Sequence, residues 1–195
     1  MPQDIPDTDF NLNNEVANVK FGREFRADRH LEKLEDLGQG FNLYRTERYF
    51  MVFYKDEPKL YYVMRYAVKR IPMINEEAAT QIMVWTLKIP VRSAAKRVFY
   101  DHLLPERHVI ATDQQQTADG ARFWGNRVGE ALDKNLWIYY LDTLSSPRKM
   151  IRITEIKQLG DLSPKIWGDD VKYRNQRVVI SDHQLKAKNG VEVED

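Results

Sequence analysis

The chain has 195 residues, with 30 Lys and Arg against 29 Asp and Glu and a formal net charge of +1, so any site for nucleic acid or an anionic surface has to be local. Cysteine is absent, which excludes disulfides, thiolate nucleophiles and cysteine-type zinc sites and suits a reducing, cytoplasmic setting. No apolar run approaches the ~18 residues of a membrane span, and "MPQDIPDTDF" lacks the charged-then-apolar order of a signal peptide.

In chain order, residues 1–15 are polar, carry two prolines and are expected as a flexible arm. "VANVKF" (16–21) predicts a short strand. "RADRHLEKLEDLG" places Ala27, Leu31 and Leu34 at helical spacing ahead of Gly38 and predicts an amphipathic helix. "RYFMVFYKDEPKLYYVMRYAVKRI" holds two aromatic, β-branched runs around Pro58, and predicts a hairpin of 45–55 with 59–71. "PMINEEAA" reads as a loop or helical turn, and "TQIMVWTLKI" (80–89) as a strand covered on both faces. In "RSAAKRVFYDHLL", Ala95, Val98, Phe99, His102 and Leu103 form a helical stripe that Pro105 is expected to end.

"RHVIAT" (107–112) predicts a strand, and Thr117 is a candidate N-cap for a helix carrying Ala121, Trp124, Val128, Ala131 and Leu132 on one face. Strands follow at 135–142 and 148–156, with "RVVISD" (177–182) as one more, and residues 183–195 are expected as a tail. Strands interleaved with helices after an antiparallel start predict one α/β domain over 16–182, a mixed and mostly antiparallel sheet flanked by helices. Strands 80–89 and 107–112, joined through a helix, are expected to lie parallel.

This order resembles the GNAT (acetyl-CoA-dependent N-acetyltransferase) fold over about residues 41–157. The likeness is most specific at "LKIPVRSAAKRVFYDHLL", where a strand runs into a turn that opens a helix. In that family the turn carries Arg or Gln and two small residues, and its backbone N–H groups take the pyrophosphate of acyl-CoA. With Arg92 in the Arg/Gln slot, Ala95 and Arg97 stand where the small residues belong; one residue later the slots fall on Lys96 and Val98. Both glycines are absent in either register. "VIATDQQQTADGARFWGNRV" resembles an arrangement in GNAT-like proteins carried by tailed phages.

The resemblance implies an acetyl-CoA site at Leu87, Ile89, Arg92, Ser93, Ala94, Ala95, Lys96 and Arg97, and transfer of the acyl group to a small amine or a protein amine. It also implies a base near Glu76 and Glu77. The tyrosine that many members use as an acid falls near Trp124 or Gly125, which leaves Tyr139, Tyr140 or water for that role. The missing glycines and tyrosine equally fit a non-catalytic, GNAT-like protein that binds or inhibits a protein target, and a homodimer is compatible with either reading.

Each candidate has a plainer reading. Arg92, Lys96 and Arg97 also suit a solvated helix start, although cations there oppose the macrodipole by ~0.3–1 kcal/mol unless an anion is present. Asp113 suits a strand-end turn, and Glu76 and Glu77 suit an exposed loop. Tyr61, Tyr62, Arg65, Tyr66, Lys69 and Arg70 mix stacking and basic groups in the manner of a nucleic-acid strand, but equally make a strand with one packed face. His102 and His108 flank Pro105, and with His30 and His183 they offer no metal-ligand spacing. Neither a G-x-S-x-G elbow nor a P-loop occurs.

Overall fold

The computed structural model describes residues 12–87, 94–113, 118–167 and 175–194. Its elements in order are α1 (Glu15–Arg26), β1 (Glu32–Gly38), β2 (Phe41–Arg45), β3 (Tyr49–Tyr54), β4 (Leu60–Arg70) and β5 (Glu77–Thr86). A helical run follows as α2 (Ala94–Arg97), a π-helical stretch (Val98–Leu103) and α3 (Leu104–Arg107). Then come β6 (Val109–Ala111), α4 (Ala118–Asp133), β7 (Trp137–Asp142), β8 (Arg148–Arg152), α5 (Ile156–Trp167), β9 (Arg177–Ser181) and β10 (Val191–Glu194). The fold is mixed α/β and its strand pairs are mostly antiparallel. The chain divides into two compact units: residues up to Tyr66 with Ile82–Val98, and Ala67–Gln81 with the chain from Phe99 onward.

The first unit begins with two elements whose types are the reverse of the sequence expectation. Residues 16–21 lie in a helix, and residues 32–38 form a strand. Asn14 caps α1 by accepting a 3.1 Å hydrogen bond from the Ala17 N–H, with Glu15 in the first turn and Arg23 and Arg26 in the last, as the helix dipole favours. The buried stripe of α1 is Asn18, Gly22 and Phe25, so apolar periodicity does not reveal it. Asn18 donates to the carbonyls of Leu12 and Leu60 and accepts from the Leu60 N–H at 2.7 Å, which docks the helix on β4. At Gly22 the helix comes so close that an added Cβ would lie 1.5 Å from the Pro58 carbonyl oxygen.

Strand β1 shows why a helix was expected there. Its register with β2 skips Leu34 and Leu37, the residues at two irregularities. Each bulge adds one residue to the period of two, so Leu31, Leu34 and Leu37 recur every three and remain half-buried. Gly38, expected to end a helix, instead opens the β1–β2 turn at φ +87°, and the Asp36 carboxylate accepts its N–H at 2.8 Å. The β3–β4 hairpin lies where the sequence predicts it, and β2 pairs with β3 along the whole length of β2. Leu12, Phe25, Tyr49, Met51, Phe53, Leu60 and Val63 form the core of this unit, with Trp85 and Leu87 against it.

In the second unit the strand order is β5-β6-β9-β7-β8-β10. The expected parallel pairing of β5 with β6 is present, at Ala79↔Ile110, and β10 runs parallel to β8. Helix α4 packs on α5 and β7. The expectation of a strand running to residue 156 extends too far, because α5 begins there. Gln158 accepts from the Thr154 and Glu155 N–H groups at 2.7 and 3.0 Å, completing the first turn of α5 from within. Gly160 and Pro164 conceal this helix in the sequence.

The stretch expected as a tail is built into this unit. Leu185 is buried, Ala187 bridges Ile74, and Val191–Glu194 pair with β8. Pro105 does not end the helical run. The π-helical turn inserts an extra residue and Pro105 falls in the first turn of α3, where its missing N–H costs least. That insertion shifts the buried stripe to Val98, Phe99, Tyr100, Leu103 and Leu104, and leaves His102 half-exposed.

Candidate functional site

The residues expected to hold acyl-CoA separate into several environments. Ile89, Arg92 and Ser93, and the capping position Thr117, lie outside the described residues. Leu87 follows β5, donates its N–H to the Tyr61 carbonyl at 2.9 Å and packs on the first core. Ala94 is buried, Ala95 half-buried and Lys96 exposed. Arg97 is ion-paired with Glu35 of β1, so its charge is already matched by a carboxylate.

Among the catalytic candidates, Glu77 is exposed and faces Arg70 at 3.5 Å. Tyr139 and Tyr140 are 1% and 0% exposed, which removes both hydroxyls from contact with solvent. The Tyr139 hydroxyl accepts the Leu185 N–H at 3.4 Å, and its ring stacks on Trp137. Asp113 is half-buried beside the Arg177 guanidinium, which donates to the Thr112 carbonyl. Thr80 donates to that same carbonyl, so the end of β6 is anchored from two sides. On β4, Tyr62 and Tyr66 are buried and only Tyr61 is half-exposed, so no row of stacking rings faces solvent there.

Glu76 lies in the most developed cluster of titratable groups among the described residues. His183 Nε2 meets Glu76 Oε2 at 2.9 Å, and His183 Nδ1 meets Asp182 Oδ1 at 2.7 Å. The other Asp182 oxygen meets His108 Nδ1 at 2.7 Å, and the two imidazole centroids are 6.2 Å apart. The result is a chain, Glu76–His183–Asp182–His108, that alternates carboxylate and imidazole. Its members come from the turn before β5, the end of α3 and the end of β9.

Sheet register brings these groups together. Val109 pairs with Ser181, and one step outward the Asp182 N–H donates to the His108 carbonyl at 3.2 Å. His108 also closes α3 with φ +61° and ψ −30°, a conformation that costs a non-glycine residue on the order of 1–3 kcal/mol. Its N–H bonds the Leu104 carbonyl at 2.7 Å, which helps hold it there.

Burial by itself raises Asp182, but hydrogen bonds from His108 and His183 outweigh it and hold the carboxyl below its ordinary value. His183 is pushed up, first by its hydrogen bond to Asp182 and then by that to Glu76, against the opposing effect of burial. The arrangement can store and pass a proton. Its three carboxylate–imidazole contacts run in a line rather than converging, and among the described residues no three His, Cys, Asp or Glu are disposed to hold a metal.

Sequence reasoning singled out Glu76 but missed its partners. The available signal was a titratable residue just outside each of two apolar strands, in "RHVIAT" and "RVVISDH". No helix among the described residues is long and apolar enough to cross a membrane. No family model matches this chain, and no curated protein or solved structure matches it either.

Proposed function

We propose that the chain is a GNAT-like, acyl-CoA-dependent N-acyltransferase acting on a small amine or a protein amine. The observation that carries this reading is the pairing of β5 and β6. The two strands are parallel, a helical run follows β5 and leads to β6, and the described ladder between them is confined to Ala79↔Ile110. Past that pair, the side chains of residues 82–86 are half-buried or exposed. Where a strand's ladder is this short, its free N–H and C=O groups can take an extended, amide-bearing arm such as pantetheine.

Acetyl-CoA supplies, when bound, a thioester whose carbonyl carbon an amine attacks, forming C–N and releasing the thiolate. In this chain the backbone of 82–86 would hold the arm, a strand N–H would meet the carbonyl oxygen, and Lys96 would face the phosphates. With Tyr139 and Tyr140 buried, water takes the proton that the amine nitrogen loses and supplies the one that the leaving thiolate gains. Arg97 fits the diphosphate poorly while Glu35 holds it.

Thermal unfolding with acetyl-CoA tests the reading. At a hundred times the dissociation constant the ligand adds about 2.7 kcal/mol, or a Tm rise of roughly 5–10 °C. No shift at millimolar acetyl-CoA overturns the proposal. Arg92→Glu should weaken the shift, and an unchanged response removes Arg92 from the site.

The Arg97–Glu35 pair and the buried tyrosines favour a second reading, a GNAT-like protein that binds a protein target without catalysis. A thermal shift with no thiol release across a panel of amines would select it.

A further inference from the structure

We propose that Glu76, His183, Asp182 and His108 form a pH-operated clasp that holds residues 182–194 against the turn before β5. The clasp is closed when both ring nitrogens of His183 carry protons and loosens when one proton leaves. Hydrogen-bond chemistry carries the argument. Both ring nitrogens of His183 face carboxylate oxygens, Asp182 at 2.7 Å and Glu76 at 2.9 Å. An ionised carboxylate only accepts, and a neutral imidazole donates from one nitrogen only. Only the imidazolium satisfies both contacts; in the neutral ring one lone pair faces an anionic oxygen.

The titratable groups facing His183 among the described residues are Glu76 from the turn before β5, Asp182 beside it in the chain, and, through Asp182, His108 just after α3. The elevated affinity of His183 for its proton agrees with this environment. In sign, the contact contributes fully below the ordinary histidine value and is lost as pH rises through the higher folded value.

The clasped segment's other anchors are modest: the Leu185 N–H donates to the Tyr139 hydroxyl at 3.4 Å, Ala187 bridges Ile74, and Ala187 and Val191 pack against the core while still partly exposed. Leu185 is its single buried side chain among the described residues. Beyond it, the Lys188 N–H donates to the Met73 carbonyl at 3.0 Å and Lys188 Nζ to the Ile71 carbonyl at 3.3 Å. Strand β10 adds a four-residue parallel ladder and the Lys149–Glu194 ion pair. A segment with so little burial opens locally at a small fraction of the global stability. The strained His108 and the Asp182 N–H to His108 carbonyl bond set the far end of the clasp in place.

The inference does not rest on the acyltransferase reading, and its test needs no acyl-CoA. Amide hydrogen exchange is measured on the whole chain between about pH 5.5 and 8.5, the range in which histidine titrates, and corrected for the intrinsic pH dependence of exchange. Residues 185–194 should open several-fold more at the alkaline end, with a midpoint matching the His183 titration read by NMR. Residues 177–181 of β9 should show no such change. His183→Gln, whose amide has no proton to lose in this range, should abolish the pH dependence. Should that variant fail to fold, Glu76→Gln removes one anionic partner and should move the midpoint to lower pH. A pH-independent segment in the wild type, a retained dependence in H183Q, or an unmoved midpoint in E76Q overturns the clasp.

Discussion

Replacing Gly22 by alanine sets helix propensity against packing, and the two give opposite signs. Alanine inside a helix is better than glycine by roughly 0.5–1 kcal/mol. At Gly22, however, the new methyl carbon would lie 1.5 Å from the Pro58 carbonyl oxygen and 2.7 Å from its carbon, both backbone atoms that cannot rotate away. A C···O contact needs about 3.3 Å, so α1 must withdraw by about 1.8 Å. That withdrawal strains the three Asn18 hydrogen bonds to Leu12 and Leu60, each worth about 1 kcal/mol. Subtracting the propensity gain leaves a net loss of about 2 kcal/mol, a fall in Tm of roughly 4–8 °C.

Gly129 of α4 is the control. An added Cβ there meets nothing within 4 Å, so Gly129→Ala should stabilise by about 0.5–1 kcal/mol. Urea unfolding followed by far-UV circular dichroism reads both variants. A Gly22→Ala protein as stable as the wild type, or more so, refutes the close docking of α1 on the β3–β4 turn.

Asn18→Ala leaves the Leu60 N–H and two carbonyls without a partner and should cost about 2–4 kcal/mol in the same assay, on the scale of buried unsatisfied groups. Asp142 accepts from the Leu144 and Ser145 N–H groups, the Ser145 hydroxyl and the buried Gln176; burial alone raises its carboxyl, but these bonds prevail and lower it. Its stabilisation is therefore complete above the ordinary value of 3.8 and is lost as pH falls through the lower folded value. Asp142→Ala should cost about 1–3 kcal/mol at neutral pH and flatten the acid limb of the stability–pH curve, measured by urea titration across that range. Glu35→Gln releases Arg97 from its ion pair, and on the acyltransferase reading the thermal shift with acetyl-CoA should grow; an unchanged shift places Arg97 outside the phosphate site.

Local patterns made part of this protein legible from its sequence. The hairpin around Pro58, strands β6, β7 and β9, and helix α4 all follow from period-two runs, a helical stripe and turn residues. Those signals depend only on near neighbours in the chain, so no tertiary knowledge is needed to read them. The parallel placement of β5 and β6 follows almost as directly, because an intervening helix forces a crossover.

Tertiary structure decided the rest. Helix α1 buries an asparagine and a glycine, whose value appears only against Leu60 and Pro58. Strand β1 carries two bulges that give it helical spacing, and a widened π turn moves the stripe of the helical run around Pro105. The clasp joins residues 76, 108, 182 and 183, which no local pattern links. They meet because β6 and β9 pair in a register that sets His108 opposite Asp182, while β5 starts beside them. Chain neighbours specify periodicity and turns; charges distant in the chain become a site only once strand register has brought them within hydrogen-bond reach.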